Sequence, residues 1–395
     1  MQYRRFGRTG LRMPVLTCGG MRYQQSWSDL EPGQAPDGPG QANLEAVIHR
    51  AFELGINHIE TARGYGSSEV QLGFVLPSLP RDEIIVQTKI GPTDSEDEFL
   101  KTFDLSLKNL QLDYVDLLGI HGINNAELLD KTLHRGTLSA CRKLQERGLV
   151  RHVGFSTHGP TDTLLAAVQT DEFSYVNLHW YYFDQINWPA VRAASEHDMG
   201  VFIISPSDKG GKLFDPPDKL VQLCDPLSPM GFNDLFCLGH AEVHTLSIGA
   251  ARPSDFDAHI EILPLVKDAM IGLQAVMKRI ENAAVNVMGA DWAATWQHGL
   301  PLTVNAPEEV PLYHILRMYT MAKAFDMVEY GKMRYNLLGS GEHWFPGCKL
   351  DSVDWDMLAR QLKDYHFVDR LPAIMREAHE LFNAEDKKRL SESGD

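Results

Sequence analysis

Cysteine is scarce in this chain. Five cysteines are spread over 395 residues, and the closest two, Cys224 and Cys237, are 13 positions apart. This spacing excludes the C-x-x-C pairs of a zinc ribbon, and an odd, scattered set does not fit a disulfide framework. We therefore expect reduced thiols, a cytoplasmic protein and no cysteine-bound metal.

Basic residues and long apolar runs are also in short supply. The chain has 37 Lys and Arg residues against 53 Asp and Glu residues, a formal net charge of −16. Nucleic acids and anionic membranes bind basic patches, so neither is an expected partner. No run of about 18 uncharged apolar residues is present to span a membrane. The stretch 1–16 has no apolar core, so we expect no secretion signal there.

What the chain does have is a regular alternation of short apolar runs and longer amphipathic segments. Helical patterns at 41–55 and 97–111 repeat apolar residues at i, i+3, i+4 and i+7. Strands that alternate with helices pair in parallel through crossover connections, and eight such units over roughly 250 residues predict an α/β fold, a closed (β/α)8 TIM barrel. The predicted strands are 13–19, 56–60, 83–89, 114–121, 151–156, 174–179, 200–205 and 244–249.

The regions outside this alternation predict two further features. The opening YRRFGRTGLRM is typical of a small N-terminal hairpin at the bottom of the barrel, and after about residue 264 only helical patterns follow. We therefore divide the chain into a barrel domain, 1–264, and a helical C-terminal domain, 265–395. The rival fold is an open doubly wound sheet, but its G-x-G-x-x-G does not follow the first strand, which ends in CGGMRYQ.

Ionisable residues follow three neighbouring predicted strands. Glu60 and Tyr65 follow the second strand, Lys89 ends the third and His121 ends the fourth. Barrel active sites form at the carboxyl ends of the strands, so we expect these four side chains to meet. There Glu60 would balance the charge of Lys89, and Lys89 would lower the pKa of Tyr65. Such a set can protonate a carbonyl oxygen while a hydride reaches its carbon.

Each of these residues also has a plain structural interpretation. A lone tyrosine after a strand usually packs, a lysine there is usually solvated, and a histidine is usually a structural hydrogen-bonding group. Glu60 could be a charge at a helix N-terminus. Another hypothesis is a metal-dependent barrel hydrolase that uses His121, His179 and Glu60. Against it, no H-x-H pair follows the first strand.

Five stretches occur in a recognisable order at the predicted strand ends: INHIETARGYGSSE, VQTKI, YVDLLGIH, VGFST and SIGAARPSDF. Together they resemble the aldo-keto reductase superfamily over roughly residues 1–265. The resemblance implies Tyr65 as the general acid, Lys89 as the modulator of its pKa and His121 as the residue that orients a carbonyl. Where the family has Asp, this chain has Glu60. Either the pair with Lys89 re-forms, or the chain is a non-catalytic nucleotide-binding or sensor protein.

The resemblance also implies a nicotinamide dinucleotide, with NADPH preferred to NADH. Ser156, Thr157 and Asn177 would hold the carboxamide. The loop after the seventh strand would bind the pyrophosphate, and Arg252 at a helix N-terminus would bind the 2′-phosphate. The implied cofactor residues are Gly20, Met21, Arg22, Ser156, Thr157, Asn177, Ser205, Ser207, Lys209, Gly210, Lys212, Gly249, Ala251, Arg252, Asp255 and His259.

One branch of the superfamily carries a C-terminal ferredoxin-like domain with an iron–sulfur cluster, and the helical tail resembles it. The closely spaced cysteines that bind such a cluster are missing, so we expect no cluster and packing by Trp292, Trp296 and other aromatic residues. Tyr23, Trp27 and Trp180 are candidates for lining the site of a small carbonyl substrate. We expect no metal.

Overall fold

The computed structural model describes residues 1–30, 34–302, 309–350 and 353–384. The end of the predicted C-terminal helical region, 385–395, lies outside these ranges. The chain divides into two compact units, the first made of residues 1–210 and 233–270 and the second of residues 211–232 and 271–395.

The first unit contains a closed barrel of eight parallel strands, which confirms the predicted fold. Strands consecutive in the chain are neighbours around the barrel, and the last strand pairs with the first. Successive side chains of a strand point to opposite faces, so alternate residues form rows directed into the barrel. The barrel strands are β3 (Leu16–Gly19), β4 (His58–Glu60), β5 (Ile85–Ile90), β6 (Val115–His121), β7 (Val150–Ser156), β8 (Tyr175–Leu178), β9 (Gly200–Ile203) and β10 (Thr245–Ile248).

Helices alternate with these strands. The helix predicted at 41–55 begins earlier, at Gly38, because the side chain of Asp37 caps it by accepting a hydrogen bond from the backbone N–H of Gly40 (2.7 Å). The helices are α1 (Gly38–Glu53), α2 (Ser68–Val75), α3 (Glu96–Leu110), α4 (Ala126–His134), α5 (Thr137–Glu146), α6 (Thr161–Gln169), α7 (Trp188–Glu196), α8 (Asp218–Cys224), α9 (Pro229–Leu238) and α10 (Asp257–Glu261). Short 3-10 helices span Gly7–Thr9, Leu76–Ser78, Pro253–Phe256, Leu263–Asp268 and Glu342–Trp344.

The predicted N-terminal hairpin is present and closes the floor of the barrel. It pairs β1 (Tyr3–Arg5) with β2 (Arg12–Pro14) in antiparallel register. Phe6 and Met13 are buried with side chains of the barrel interior, including Leu117 and Phe202. The predicted first strand, 13–19, is therefore two strands, and the hairpin ends at Pro14, which has no N–H to donate to a longer ladder.

The described residues after β10 form the helices that the sequence predicted for this region. In the second unit Trp292 is fully buried, donates from Nε1 to the hydroxyl of Thr320 (3.0 Å) and stacks with Trp296 at a ring separation of 6.4 Å. Aromatic packing is thus central to this unit. The helices are α11 (Ala269–Gly272), α12 (Gln274–Met288), α13 (Ala290–Thr295), α14 (Leu312–Phe325), α15 (Val328–Tyr335), α16 (Trp355–Gln361) and α17 (Leu371–Phe382).

Two further observations concern the described residues. None of their helices is long and apolar enough to cross a bilayer. All five cysteines lie in the described part, are buried and form no disulfide.

Candidate active site

The barrel mouth contains a buried ion pair between adjacent strands. Glu60 is the last residue of β4 and Lys89 lies on β5, and both side chains are almost completely buried. The carboxylate of Glu60 contacts the ammonium of Lys89, which also donates to the carbonyl of Thr61 (2.8 Å). The ion pair with Lys89 therefore forms even though this chain has Glu60 where the family has aspartate.

Gly119 on β6 leaves the space that the stem of Lys89 uses. A Cβ at this position would lie 2.9 Å from Cγ of Lys89 and 3.4 Å from the hydroxyl of Tyr175. Distances this short require one of the neighbours to move. The absence of a side chain on β6 therefore helps to set the position of the lysine on β5.

A tight turn after β4 brings Tyr65 to the same point. The backbone N–H of Arg63 donates to the carbonyl of Lys89 (2.8 Å), which ties this turn to β5. Gly66 has φ +51°, and a Cβ there would lie 2.2 Å from the carbonyl oxygen of Ser26. Only glycine fits this close approach in a left-handed conformation. The turn is thus held between β5 and the loop after β3.

The four predicted catalytic side chains come together. The ammonium of Lys89 lies 4.7 Å from the centre of the Tyr65 ring, and the rings of Tyr65 and His121 meet edge to face at 5.6 Å. These distances are short enough for the four groups to act on one bound molecule. The hydrolase hypothesis has no such support, because no group of three His, Cys, Asp or Glu side chains that could hold a metal occurs among the described residues.

One electrostatic prediction was wrong. We expected Lys89 to lower the pKa of Tyr65, but burial raises the pKa of the Tyr65 phenol. Burial also lowers the pKa of Lys89 well below its usual value, and Glu60 offsets the charge that Lys89 carries. The lysine therefore exerts too little net field at the phenol to overcome desolvation. Tyr65 retains its proton through the neutral range.

The predicted carboxamide residues lie on β7 and β8, beside His121. Ser156 pairs with His121 and Asn177 pairs with Ser156 in the strand register. Both side-chain polar atoms of Asn177 are buried without a hydrogen-bond partner among the described residues. The hydroxyl of Thr157, in contrast, donates to Ile123 (2.7 Å) and accepts from Gly159 (2.9 Å). Asn177 is therefore better placed than Thr157 to contact a ligand. The hydroxyl of Ser156 accepts from the N–H of Gly122 (3.2 Å) and still has a proton to donate.

The loop after β9 contains Ser205, Ser207, Lys209 and Gly210. Ser205 has φ +52°, a left-handed backbone conformation at the start of this loop. A Cβ at Gly210 would lie 2.1 Å from the carbonyl oxygen of Pro206, so this loop is tightly closed. Lys212 belongs to the second unit, where it pairs with Asp215 (2.5 Å).

The residues after β10 divide into an exposed and a buried set. The side chain of Arg252 is 75% exposed and bonds to Asp255 (3.0 Å), whose carboxylate also accepts from the N–H of Ala251 (2.9 Å). His259 is buried and contacts Asp234. Arg252 can therefore reach a ligand in solution, whereas the imidazole of His259 is turned into the protein.

The segment after β3 contributes the remaining implied cofactor residues. Met21 is partly buried there. A Cβ at Gly20 would lie 2.5 Å from the carbonyl oxygen of Glu60, so the backbone passes close to the ion pair. A Cβ at Gly249 would lie 3.3 Å from Cγ of Arg22, so this arginine packs over the end of β10.

The three predicted substrate residues have different surroundings. Trp27 is 40% exposed, and its ring meets that of Tyr65 edge to face at 6.3 Å. Tyr23 is buried, and burial raises its pKa well above the usual value. Trp180 is buried and stacks with Phe236 at a ring separation of 5.0 Å. Of the three, only Trp27 is both partly exposed and in contact with a catalytic candidate.

The sequence model of the Aldo/keto reductase family matches residues 15–212, about half of the chain and nearly the whole run of barrel strands.

The chain belongs to the aldo/keto reductase family. It is 31% identical over 179 residues to L-glyceraldehyde 3-phosphate reductase of Escherichia coli K12, covering 41% of this chain and 47% of that protein. It is 34% identical over 166 residues to L-galactose dehydrogenase of Arabidopsis thaliana, covering 40% and 48%. The matches thus span about half the length of these curated relatives.

A solved aldo-keto reductase shares the fold. The holo form of an aldo-keto reductase from Bacillus halodurans superposes with a TM-score of 0.58 at 21% identity, covering 71% of this chain and 96% of that one. At this identity the likeness concerns the fold alone.

Sequence reasoning named Lys209 as a cofactor residue and His179 as a candidate metal ligand of this aldo/keto reductase, but it did not bring either of them together with His158. The ammonium of Lys209 lies 3.1 Å from Nδ1 of His158 and 3.3 Å from Nε2 of His179. One signal was available: each histidine stands two positions after a predicted carboxamide residue, Ser156 or Asn177, and so continues the same inward row. The approach of Lys209 depends on the loop and has no sequence signature.

Proposed function

We propose that this protein transfers a hydride between NADPH and an aldehyde or ketone, or catalyses the reverse oxidation of an alcohol, with Tyr65 as the proton donor. The observation that carries the proposal is the convergence of the Tyr65 phenol with His121 and the buried pair of Lys89 and Glu60. NADH is the less favoured cofactor.

Each side chain has a role that suits carbonyl reduction. The nicotinamide, when bound, supplies the hydride. Tyr65 gives its proton to the carbonyl oxygen, and its raised pKa keeps the phenol protonated until the oxygen develops negative charge. Lys89 stabilises the phenolate that remains. His121 donates a hydrogen bond that holds the oxygen near the phenol.

The residues of the mouth suit a nicotinamide dinucleotide. The unpartnered amide of Asn177 complements a carboxamide, which needs one donor and one acceptor, and Ser156 adds a hydroxyl nearby. The backbone of the loop from Ser205 to Gly210 would face the pyrophosphate. Arg252, exposed at the start of a helical turn, would bind the 2′-phosphate and favour NADPH over NADH.

The most direct test is the oxidation of NADPH with a panel of aldehydes and ketones. Native protein is expected to consume the cofactor with some members of the panel. Tyr65→Phe should reduce turnover by about 10²–10⁴-fold, the usual value of a general acid. Its affinity for NADPH, measured by cofactor fluorescence, should stay the same. Equal turnover by the two proteins would refute the role of Tyr65.

The names of the two relatives leave the substrate open. One is named for a phosphorylated aldehyde and the other for a neutral sugar. We propose a small carbonyl compound whose reactive end meets Trp27 beside Tyr65. An exposed aromatic wall at this point favours planar or apolar groups next to the carbonyl.

We also propose that residues 265–395 form a domain like the ferredoxin-like extension of the superfamily, without its cluster. The stack of the buried Trp292 with the partly buried Trp296 supports this, because aromatic side chains fill the volume. Iron and sulfide analysis of the purified protein tests it. Stoichiometric iron with a matching visible absorption would contradict the proposal.

A further inference from the structure

One buried carboxylate near the mouth lies outside the predicted catalytic set. Glu69 is in the first turn of α2, four residues after Tyr65, and its side chain has no exposed surface. A carboxylate removed from water is stable only where neighbouring groups compensate its charge. The groups that contact Glu69 therefore indicate which parts of the barrel it joins.

Glu69 contacts both segments that position the proposed proton donor and its lysine. Its Oε1 accepts a hydrogen bond from the hydroxyl of Thr88 (2.7 Å), the residue before Lys89 on β5. Its Oε2 lies 3.5 Å from the guanidinium of Arg63, which stands two residues before Tyr65. One carboxylate thus links the strand of Lys89 to the turn of Tyr65.

Helix α3 supplies further polar groups around this carboxylate. The side-chain amide of Asn109 donates to Oε2 of Glu69 (3.5 Å), and the buried hydroxyl of Ser106 also stabilises the charge of Glu69. A Cβ at Gly73 would lie 2.0 Å from the carbonyl oxygen of Asn109, so α2 and α3 pack too closely for a side chain there. This close packing brings Asn109 within reach of Glu69.

Arg63 has two carboxylate partners in different surroundings. The side chain of Arg63 is 16% exposed and pairs with Asp29, which is 59% exposed, as well as with the fully buried Glu69. An ion pair with a solvated partner contributes little, because water and salt screen it. The contact with Glu69 is therefore the one that can hold the turn against β5.

We propose that Glu69 is a positioning residue, which fixes the Tyr65 phenol beside the Lys89 ammonium through Arg63 on one side and Thr88 on the other. This inference rests on the proposed function, in which Tyr65 is the proton donor. Without the carboxylate, the backbone hydrogen bond from Arg63 to Lys89 remains, but the side-chain link between the turn and β5 is lost. A misplacement near 1 Å can cost about 10²-fold in rate.

Glu69→Gln provides the test, because it keeps the shape of the side chain. Its amide oxygen can still accept from Thr88, but its NH2 group then faces Arg63 and Asn109, which are also donors. Both kcat and kcat/KM for a carbonyl substrate should fall by about 10²-fold, while KM and the NADPH Kd stay as in the native protein. Equal losses in kcat and kcat/KM are typical of a contact that acts in the transition state.

The titration of Tyr65 distinguishes positioning from a general loss of stability. Tyrosine isotopically labelled at Cζ reports phenol ionisation by NMR, and the signal of Tyr65 is the one missing from Tyr65→Phe. Burial raises the pKa of Tyr65 in the native protein. The titratable groups around its ring are Lys89 with its partner Glu60, His121 and Tyr23. A loosened turn admits water, so in Glu69→Gln the pKa of Tyr65 should fall toward the ordinary tyrosine value of about 10.

Two controls remove a carboxylate elsewhere. Glu98→Gln removes the same charge from an exposed position on α3, and Asp29→Asn removes the solvated partner of Arg63. Both variants should keep the native kcat and the native titration of Tyr65. An unchanged Tyr65 titration in Glu69→Gln overturns the proposal, even if kcat falls. So does an equal shift in either control, because the effect would then follow from the loss of charge and not from the buried link.

A second pair of variants applies if Glu69→Gln does not fold. Thr88→Val removes the hydroxyl that donates to Glu69, and Thr88→Ser keeps it. The Val variant should shift the Tyr65 titration in the same direction, and the Ser variant should titrate as the native protein does. Identical titration in the two variants overturns the proposal. The NMR measurement needs no turnover, so if Tyr65 shifts as expected and the native protein reduces no carbonyl compound, the proposed function alone fails.

Discussion

The floor and the mouth of the barrel are built from the same strands but contain opposite kinds of side chains. On β5 the inward row begins with Ile85 in the apolar floor and ends with Lys89 in the mouth; on β6 it begins with Leu117 and ends with His121. Four residues of strand, about 13 Å, separate the two environments. One end of the barrel can therefore provide stability while the other holds charge.

Charge at the mouth is tolerated because it is compensated locally. Lys89 and Glu60 are both buried, and an unpaired charge there would cost several kcal/mol. The floor needs no such compensation, since its side chains gain free energy by leaving water. If this contrast is correct, substitutions at the mouth should change chemistry and stability together, and substitutions in the floor should change stability alone.

The largest effect is expected for Glu60→Gln. The substitution leaves Lys89 buried without a carboxylate, so it should destabilise the barrel by about 3–5 kcal/mol and also reduce turnover. Urea unfolding and steady-state kinetics measure the two effects. Glu60→Asp is the control, because it keeps a carboxylate beside the lysine. A Gln variant as stable and as active as the Asp variant would remove the ion pair from the explanation.

A floor substitution, Phe6→Ala, should cost as much stability without changing the chemistry. Phe6 is fully buried against Tyr175 at a ring separation of 5.7 Å, and its loss should destabilise the barrel by about 3–5 kcal/mol. The kcat/KM of the remaining folded protein should stay within about twofold of native. Phe74→Ala, at a position 53% exposed on α2, is the control and should cost about 0.5 kcal/mol or less. Similar losses in the two variants would mean that Phe6 does not close the floor.

Gly119→Ala tests the mouth more gently. The added methyl would lie 2.9 Å from Cγ of Lys89, so the lysine must shift, at a cost of about 1–3 kcal/mol and with reduced turnover. At Gly91, the residue after β5, the nearest atom to an added methyl is the carbonyl oxygen of His121 at 3.9 Å. Gly91→Ala should therefore retain native kinetics. Native turnover in Gly119→Ala would show that the side chain of Lys89 can shift without loss of activity.

The sequence predicted one side of the mouth better than the other. The ladder register alone brings the ends of β4, β5 and β6 together, so the proximity of Glu60, Lys89 and His121 followed once eight strands were recognised. The cluster around Lys209 depends on a loop in which Ser205 adopts a positive φ, and loop conformation leaves no periodic pattern. The pKa of Tyr65 was mispredicted for a related reason, because desolvation depends on how closely the turn packs.

His58 connects the two environments and gives the smallest expected effect. It lies two residues before Glu60 on the inward row of β4, fully buried, with its Nδ1 2.8 Å from the hydroxyl of Thr17. Burial, with a smaller contribution from the charge of Lys89, lowers the pKa of His58 to about 3. A histidine in the unfolded chain takes up a proton near pH 6.5.

Between these two pH values the unfolded state binds the extra proton, so His58 stabilises the fold fully above about pH 6.5 and progressively less as the pH falls toward 3. His58→Asn removes this titration. The native protein should lose up to about 2 kcal/mol more than the variant between pH 7 and pH 5, as measured by urea unfolding at the two pH values. Parallel losses would mean that the histidine is protonated inside the folded barrel, and that the charge compensation seen at the mouth extends down the wall toward the floor.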